Sequence, residues 1–455
     1  MKTIAAISTA PAVGGIGVIR ISGEAAIEVA EKLFCACSTK KRLSEMEGYT
    51  AAYGFVKTIG GEKLDECVAL VFRAPHSYTG ENVVELSCHG GIFLLKKVLE
   101  EVFKAGAVPA EAGEFTKRAF LNKKIDLTRA EAVASIISAQ SDASAAAAVS
   151  ARDGNLYKEI NAVSESLISL SAHLAAWTDY PDDDIEELDY SSLEEILEGA
   201  KLTLENLLST FDAGQAVTQG IDCAIVGRTN VGKSTLMNLL CGETKSIVTD
   251  IEGTTRDVVE TTVRIGNVVL RLSDTAGLRE SEDKIEQIGI ELSKKKIEAS
   301  SLIFAVFDCS KDLNEEDFAL LEAIKNKPAI LVINKKDLSA VWEAEKVKKY
   351  SENIVFISAK HSDGYKELAK MCEKVLGTEQ FNPYAPLLAT ERQKSCAENA
   401  LSCVTEAIEA IKLNLTLDAV NVSVDSAIEA LLALTGERVT EKITEEIFKN
   451  FCVGK

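Results

Sequence analysis

Residues 1–118 alternate short apolar runs with turns: "IAAIST", "GIGVIRISG", "ECVALVFRAP" and "ENVVELSCHGG". Runs of this length and spacing predict the strands of a small α+β domain. From about Phe120 the texture changes. "AEAVASIISAQSDASAAAAVSARDG" and its continuation are rich in Ala, Ser and Leu, with helical spacing and no proline. The pattern resumes after "DYPDDDIEELDYSS" as "LEEILEGAKLTLENLLSTF". The acidic break reads as a solvated loop and helix cap, because its carboxylates are consecutive rather than spaced for one face. At Ile221 strands and helices begin to alternate: "IDCAIVG", "VVLRLSD", "SLIFAVFD", "PAILVIN" and "NIVFIS". Such apolar runs suit the buried parallel strands of a three-layer α/β domain. "TTVRIGNVVLRLSD" predicts a hairpin turning at Gly266–Asn267. Helical texture returns from about Ala389 to Phe448. The expected division is 1–118, 119–216, 217–378 and 379–455. The α/β module is then an insertion into one helical domain, because domain termini often lie close together.

At 455 residues the chain is too long for one core. Its net charge of −20 argues against broad, nonspecific binding to nucleic acid, which needs Lys and Arg for phosphates. No uncharged apolar run approaches the roughly 20 residues that span a bilayer. The start "MKTIAAISTAPA" is short of a signal-peptide core and reads as a mature N-terminus and first strand. Eleven cysteines are irregularly spaced without a CxxC pair, and there are four histidines. Free thiols in a reducing cytoplasm explain them better than zinc or disulfides. Adjacent Cys88 and His89 suggest a dyad, but strand neighbours face opposite sides, so a structural role is expected. The tail "NFCVGK" puts Cys452 near the end of the chain. It fits a lipidation frame poorly, since Gly454 is not aliphatic. A reactive tail and an incidental frayed end both remain open.

"GRTNVGKS", Gly227 to Ser234, matches G-x-x-x-x-G-K-[ST] between a strand and a helix. Its glycines let backbone N–H groups face phosphate oxygens, and the helix dipole adds to the attraction. Lys233 is placed for the β- and γ-phosphates, and the Ser234 hydroxyl for Mg²⁺. "LSDTAGL" puts Asp274 at the Mg²⁺ shell and the Gly277 N–H at the γ-phosphate. In "NKKD" Asp337 can accept from both N1–H and the N2 amino group of guanine, a pair adenine does not offer. "SAK", Ser358 to Lys360, would bring a backbone N–H to the guanine O6. Thr254 and Thr255 lie where a threonine completes the Mg²⁺ shell. Four short motifs in order, each at a strand end, make this a guanine-nucleotide domain. Leu278 occupies the place where many GTPases carry a water-orienting Gln, so hydrolysis must use another polar group.

These motifs, with "GIGVIRISG", "FTKRAFLNKKIDLTRAEA", "DYPDDDIE" and the "FCVGK" tail, resemble the MnmE (TrmE) family of tRNA-modification GTPases over essentially the whole chain. The resemblance implies an N-terminal folate-binding and dimerising domain, a helical-bundle domain in two segments, and an inserted Ras-like P-loop GTPase domain. It implies a cytoplasmic homodimer that works with a FAD-dependent MnmG-like protein, as a heterotetramer, on the wobble uridine of certain tRNAs. The C5 product would be aminomethyl or carboxymethylaminomethyl. The one-carbon unit would come from a tetrahydrofolate derivative, with 5-formyl- or methylene-tetrahydrofolate as the bound species. A ribosome-assembly-type GTPase switch is the alternative, but such proteins usually carry a basic RNA-binding module, and none is visible here.

Residue by residue, the resemblance assigns GTP contacts to Asn230, Val231, Gly232, Lys233, Ser234 and Thr235 in the first loop. It adds Thr249, Asp250, Ile251, Glu252, Gly253, Thr254 and Thr255, then Asp274, Thr275, Ala276 and Gly277. The base contacts are Asn334, Lys335, Asp337, Ser358, Ala359 and Lys360. Mg²⁺ falls to Ser234 and Thr255, and K⁺ to Asn230, Thr249, Ile251 and Thr254. The K⁺ ion would sit where other GTPases place an arginine finger. Glu286 would orient the attacking water through a second water, although by itself it reads as an exposed helical residue. Folate contacts fall to Arg20, Glu85, Lys124 and Lys455. "STAPAVGG" lacks an Arg or Glu that relatives carry in this loop. Within the family the tail becomes a flexible end that brings Cys452, as nucleophile or proton donor, and Lys455 to the folate and uridine site.

Overall fold

A computed structural model describes residues 1–37, 42–179, 190–243, 261–272, 297–449 and 451–455. The chain divides into two compact units, Met1–Ala134 with Leu431–Lys455, and Ser135–Ala430.

The first unit is built on a seven-stranded sheet. Its strands are β1 (Ile4–Ile7), β2 (Ile16–Ser22), β3 (Phe34–Ala36), β4 (Thr50–Lys57), β5 (Lys63–Phe72), β6 (Val83–His89) and β7 (Val108–Pro109), in the order β3-β4-β5-β6-β2-β1-β7. All pairs are antiparallel except β1 with β7. Alternation along each strand divides the residues between two faces. Ile19, Ile21, Val84 and Leu86 face a core closed by Leu33, Leu95 and Val98 of the helices Ala26–Leu33 and Ile92–Lys104. On the other face Ile16 is 68% exposed, Tyr53 52% and Val68 40%. Near β1 that face is covered by Phe115 of the helix Glu114–Leu121, which packs on Ile4 and Ala6. The last helix, Glu441–Lys449, joins this unit because Phe448 packs with Ala119, Ile125, Leu127 and Ala130. Residues 119–134 and 431–455 cluster with the sheet in this unit.

In the second unit, β8 (Ile221–Val226), β9 (Thr261–Ile265), β10 (Val268–Leu272), β11 (Leu302–Asp308), β12 (Ala329–Asn334) and β13 (Ile354–Phe356) form a sheet ordered β13-β12-β11-β8-β10-β9. It is parallel except for β9, which pairs with β10 around Gly266–Asn267, with Gly266 at φ +58°. Every residue of β11 and β12 is buried, as two covered faces require. Leu236 and Leu240 of the helix Lys233–Glu243 and Leu368 of Tyr365–Val375 cover one face. Leu321 and Ile324 of Glu315–Ile324 cover the other.

Helices stand on both sides of this module in sequence, and Tyr190–Ser209 packs along Glu391–Lys412. Thr390 starts the latter helix by accepting the Gln393 N–H on its hydroxyl at 3.2 Å. Where the chain enters and leaves the module, the Gln219 amide donates to the Ala389 carbonyl at 2.6 Å. Among the described residues, no helix is long and apolar enough to cross a membrane.

Candidate functional site

The loop Gly227–Gly232 connects the buried strand β8 to the helix Lys233–Glu243. Its path needs three residues at positive φ: Gly227 at +149°, Asn230 at +64° and Gly232 at +101°. Space forbids side chains at both glycines. A Cβ at Gly227 would lie 2.4 Å from the Val306 carbonyl oxygen, and one at Gly232 would lie 2.2 Å from Asn334 Nδ2. A cradle this close to backbone geometry suits phosphate oxygens at a helix N-terminus. Lys233 donates to the carbonyls of Gly227 and Arg228, each at 2.7 Å. Burial lowers its pKa. Ser234 and Thr235 are exposed in the first turn of the helix.

Asn334, at the end of β12, ties three loops together. Its Nδ2 donates to the Val231 carbonyl at 2.9 Å, and its Oδ1 accepts the Ala359 N–H at 3.0 Å. Lys335 follows at φ +64° and reaches the Asn230 carbonyl at 2.9 Å and Asp308 Oδ2 at 2.6 Å. Burial pushes the Asp308 carboxyl up, but hydrogen bonds from Lys335 and Ser310 outweigh it and leave the group below its ordinary value. Asp337 is exposed and is oriented by the Ser358 hydroxyl at 2.5 Å, which also lowers its pKa. An ionised carboxylate therefore faces solvent beside the 358–360 loop, with both oxygens available as acceptors for a guanine edge. The sequence motifs did not point to Asp308. Nor did they point to Arg228, whose guanidinium lies 3.4 Å from the buried carboxylate of Asp317. Thr249 to Thr255, Asp274 to Gly277 and Glu286 lie outside the described residues.

In the first unit, Arg20 on β2 and Glu85 on β6 are register partners, bonded at 2.8 Å. The Arg20 guanidinium stacks 5.4 Å from the Tyr78 ring centroid and 5.5 Å from that of Phe115. Its Nη1 donates to the Gly454 carbonyl at 3.3 Å. The structure thus brings the tail to the Arg20–Glu85 pair. Lys124 is exposed and donates to the Pro75 carbonyl at 3.0 Å, on the loop that also carries Tyr78. Cys452 is exposed. The tail differs from the flexible end expected of it. Gly113 N–H bonds the Cys452 carbonyl at 3.3 Å, and Phe115 N–H bonds the Lys455 carbonyl at 3.2 Å. Main-chain bonds to residues more than 300 positions earlier gave no signal in the local sequence.

Cys88 and His89 point apart, as strand geometry requires. Cys88 is buried against Cys67, and the hydrogen bond with Cys67 together with burial raises its thiol pKa. His89 is exposed, and its Nδ1 meets Asp65 Oδ1 at 2.7 Å.

Two family models match the chain: "GTP-binding protein TrmE N-terminus" over residues 3–124 and "MnmE helical domain" over residues 127–452. The tRNA modification GTPase MnmE of Clostridioides difficile is 41% identical over all of this chain and 99% of its own length. That of Alkaliphilus oremlandii is 40% identical, over 100% of this chain and 99% of its own. Among solved structures, an Era variant from Aquifex aeolicus bound to GDP and AlF4⁻ is 31% identical, with a TM-score of 0.27, over 40% of this chain and 66% of that one. With its nucleotide loops assembled around Asn334 and full-length relatives at 40% and 41% identity, the chain belongs to the MnmE family of tRNA modification GTPases, enzymes that hydrolyse GTP.

Proposed function

We propose that this GTPase is stimulated by K⁺ and acts with a MnmG-like FAD protein in the cytoplasm to modify C5 of the wobble uridine in certain tRNAs. The product is aminomethyl- or carboxymethylaminomethyluridine, the one-carbon unit comes from a tetrahydrofolate, and the nitrogen comes from a small amine co-substrate, ammonium for the first product and glycine for the second. The observation that carries the reading is the meeting of Arg20, Glu85 and the Cys452-bearing tail in one unit, while a separate module holds the nucleotide loops. Arg20 and Glu85 supply a planar donor and an acceptor, the complement of a pterin ring's polar edge. The exposed apolar face of the first sheet, with Ile16, Tyr53 and Val68, supports a homodimer built on this unit. Two such dimeric chains with two copies of the partner protein make the heterotetramer.

The donor chemistry of the first loop fits its ions. The Ser234 hydroxyl is a hard oxygen ligand suited to Mg²⁺, with Thr255 as its companion. Asn230, held at positive φ, would contribute to a K⁺ site with Thr249, Ile251 and Thr254. Mg²⁺ and K⁺ would supply positive charge against the developing phosphate charge. Glu286 is assigned the orientation of the attacking water. The test is nucleoside analysis of tRNA from a strain lacking the gene. The C5 modification should disappear and return on complementation. Unchanged nucleosides would refute the proposal.

A further inference from the structure

The tail is seated by two glycines that leave no room for side chains. Gly454 adopts φ +97°, and a Cβ there would lie 2.4 Å from the Ile7 carbonyl oxygen and 2.9 Å from Ser8 Cα. Gly113 adopts φ +64°, and a Cβ there would lie 2.8 Å from Phe451 Cβ and 2.9 Å from the Phe448 carbonyl oxygen. Gly454 is itself buried, whereas Cys452 and Val453 on the same segment are exposed. The Gly454 carbonyl accepts two hydrogen bonds, from the Ser8 hydroxyl at 3.0 Å and from Arg20 Nη1 at 3.3 Å. A bridge between Ala112 and Val453 completes the seat.

We infer that Ser8 and Gly454 are positioning residues for the tRNA modification. Together they fix the height of the tail over the Arg20–Glu85 pair, and so place Cys452 and Lys455 on either side of one anchored carbonyl. The Ser8 hydroxyl holds that carbonyl from the β1 side, while the guanidinium that pairs with Glu85 holds it from β2. A side chain at residue 454 would lift the segment from β1, and the thiol would move with it. Displacements of about 1 Å at a reacting group cost on the order of 100-fold in rate. The inference builds on the reading that Cys452 takes part in the chemistry.

The experiment measures modification of a substrate tRNA by the full-length protein with its FAD partner, GTP, methylene-tetrahydrofolate as carbon donor and a small primary amine, ammonium or glycine, as nitrogen donor. Ser8→Ala is expected to lower kcat about tenfold, the loss of one well-aligned hydrogen bond. Ser8→Thr keeps the hydroxyl and should restore at least half of the activity. Gly454→Ala should lower kcat about 100-fold. Thermal melts of all three variants should match the parent. If Gly454→Ala melts early, the Ser8 pair decides. Parental kcat in Ser8→Ala, or equal loss in Ser8→Ala and Ser8→Thr, overturns the inference. Cys452→Ser, measured alongside, separates the two layers. Full modification by that variant removes the reading of the thiol. Its failure together with an active Ser8→Ala removes only the positioning role.

Discussion

Asn334 and Val231 are joined by a buried hydrogen bond of 2.9 Å, and through it the base-reading strand end holds the phosphate loop. The other end of the same amide accepts the Ala359 N–H at 3.0 Å, so one side chain sets the spacing of three loops. Asn334→Ala would leave a buried carbonyl and a buried N–H without partners. The expected cost is about 2–4 kcal/mol of stability in this module, with GTP affinity reduced at least tenfold. Chemical denaturation and nucleotide titration check both numbers. Wild-type affinity would mean that the loops hold their spacing without the amide.

Asp337 should decide the base. Its carboxylate offers two acceptors and is oriented by Ser358. Asp337→Asn replaces one acceptor with a donor, which matches xanthine's O2 rather than guanine's amino group. GTP affinity should fall on the order of 100-fold while xanthosine triphosphate binds in its place. Competition between the two nucleotides reads the switch, and retained GTP preference would contradict it.

His89 should titrate above its ordinary value of about 6.5, because the Asp65 carboxylate hydrogen-bonds and attracts the charged ring. A raised folded-state pKa contributes stability that is fully present below the unfolded value. That contribution is lost as pH rises through the folded value. In an NMR titration the His89 midpoint should lie above 6.5, and Asp65→Asn should bring it back towards that value. An unchanged midpoint in the variant would remove Asp65 as the cause.

GTP hydrolysis should be at least tenfold faster in K⁺ than in Na⁺ at equal ionic strength, since an ion offsets transition-state charge only if its site fits it. Asn230→Ala should abolish the difference. Equal rates in the two salts would remove the K⁺ role of Asn230.

The α/β module was readable from its sequence almost element by element. β11 and β12 are unbroken apolar runs because both of their faces are covered, and the hairpin announced itself through Gly266–Asn267. β4 was not readable. Its "TAAYGFVK" places Tyr53 in solvent and needs Gly54 because a Cβ would strike the Cys35 carbonyl oxygen at 2.2 Å. That constraint exists only once β3 is alongside. The site shows the same division. Lys233 and Asp337 belong to local motifs, but Asn334's hold on Val231 spans 103 positions and the Ser8 bond to Gly454 spans 446. Long-range partners of this kind leave no periodicity behind.

The bond between Gln219 and Ala389 has a consequence for the architecture as a whole. Two chain crossings that touch enclose a piece of polypeptide whose ends are already closed. Excising residues 220–388 and bridging the gap with a few small residues should therefore cost the host helices little loop-closure entropy. The nucleotide module is, in this sense, a detachable cartridge. Its removal separates the helical scaffold from the engine without cutting a single host helix.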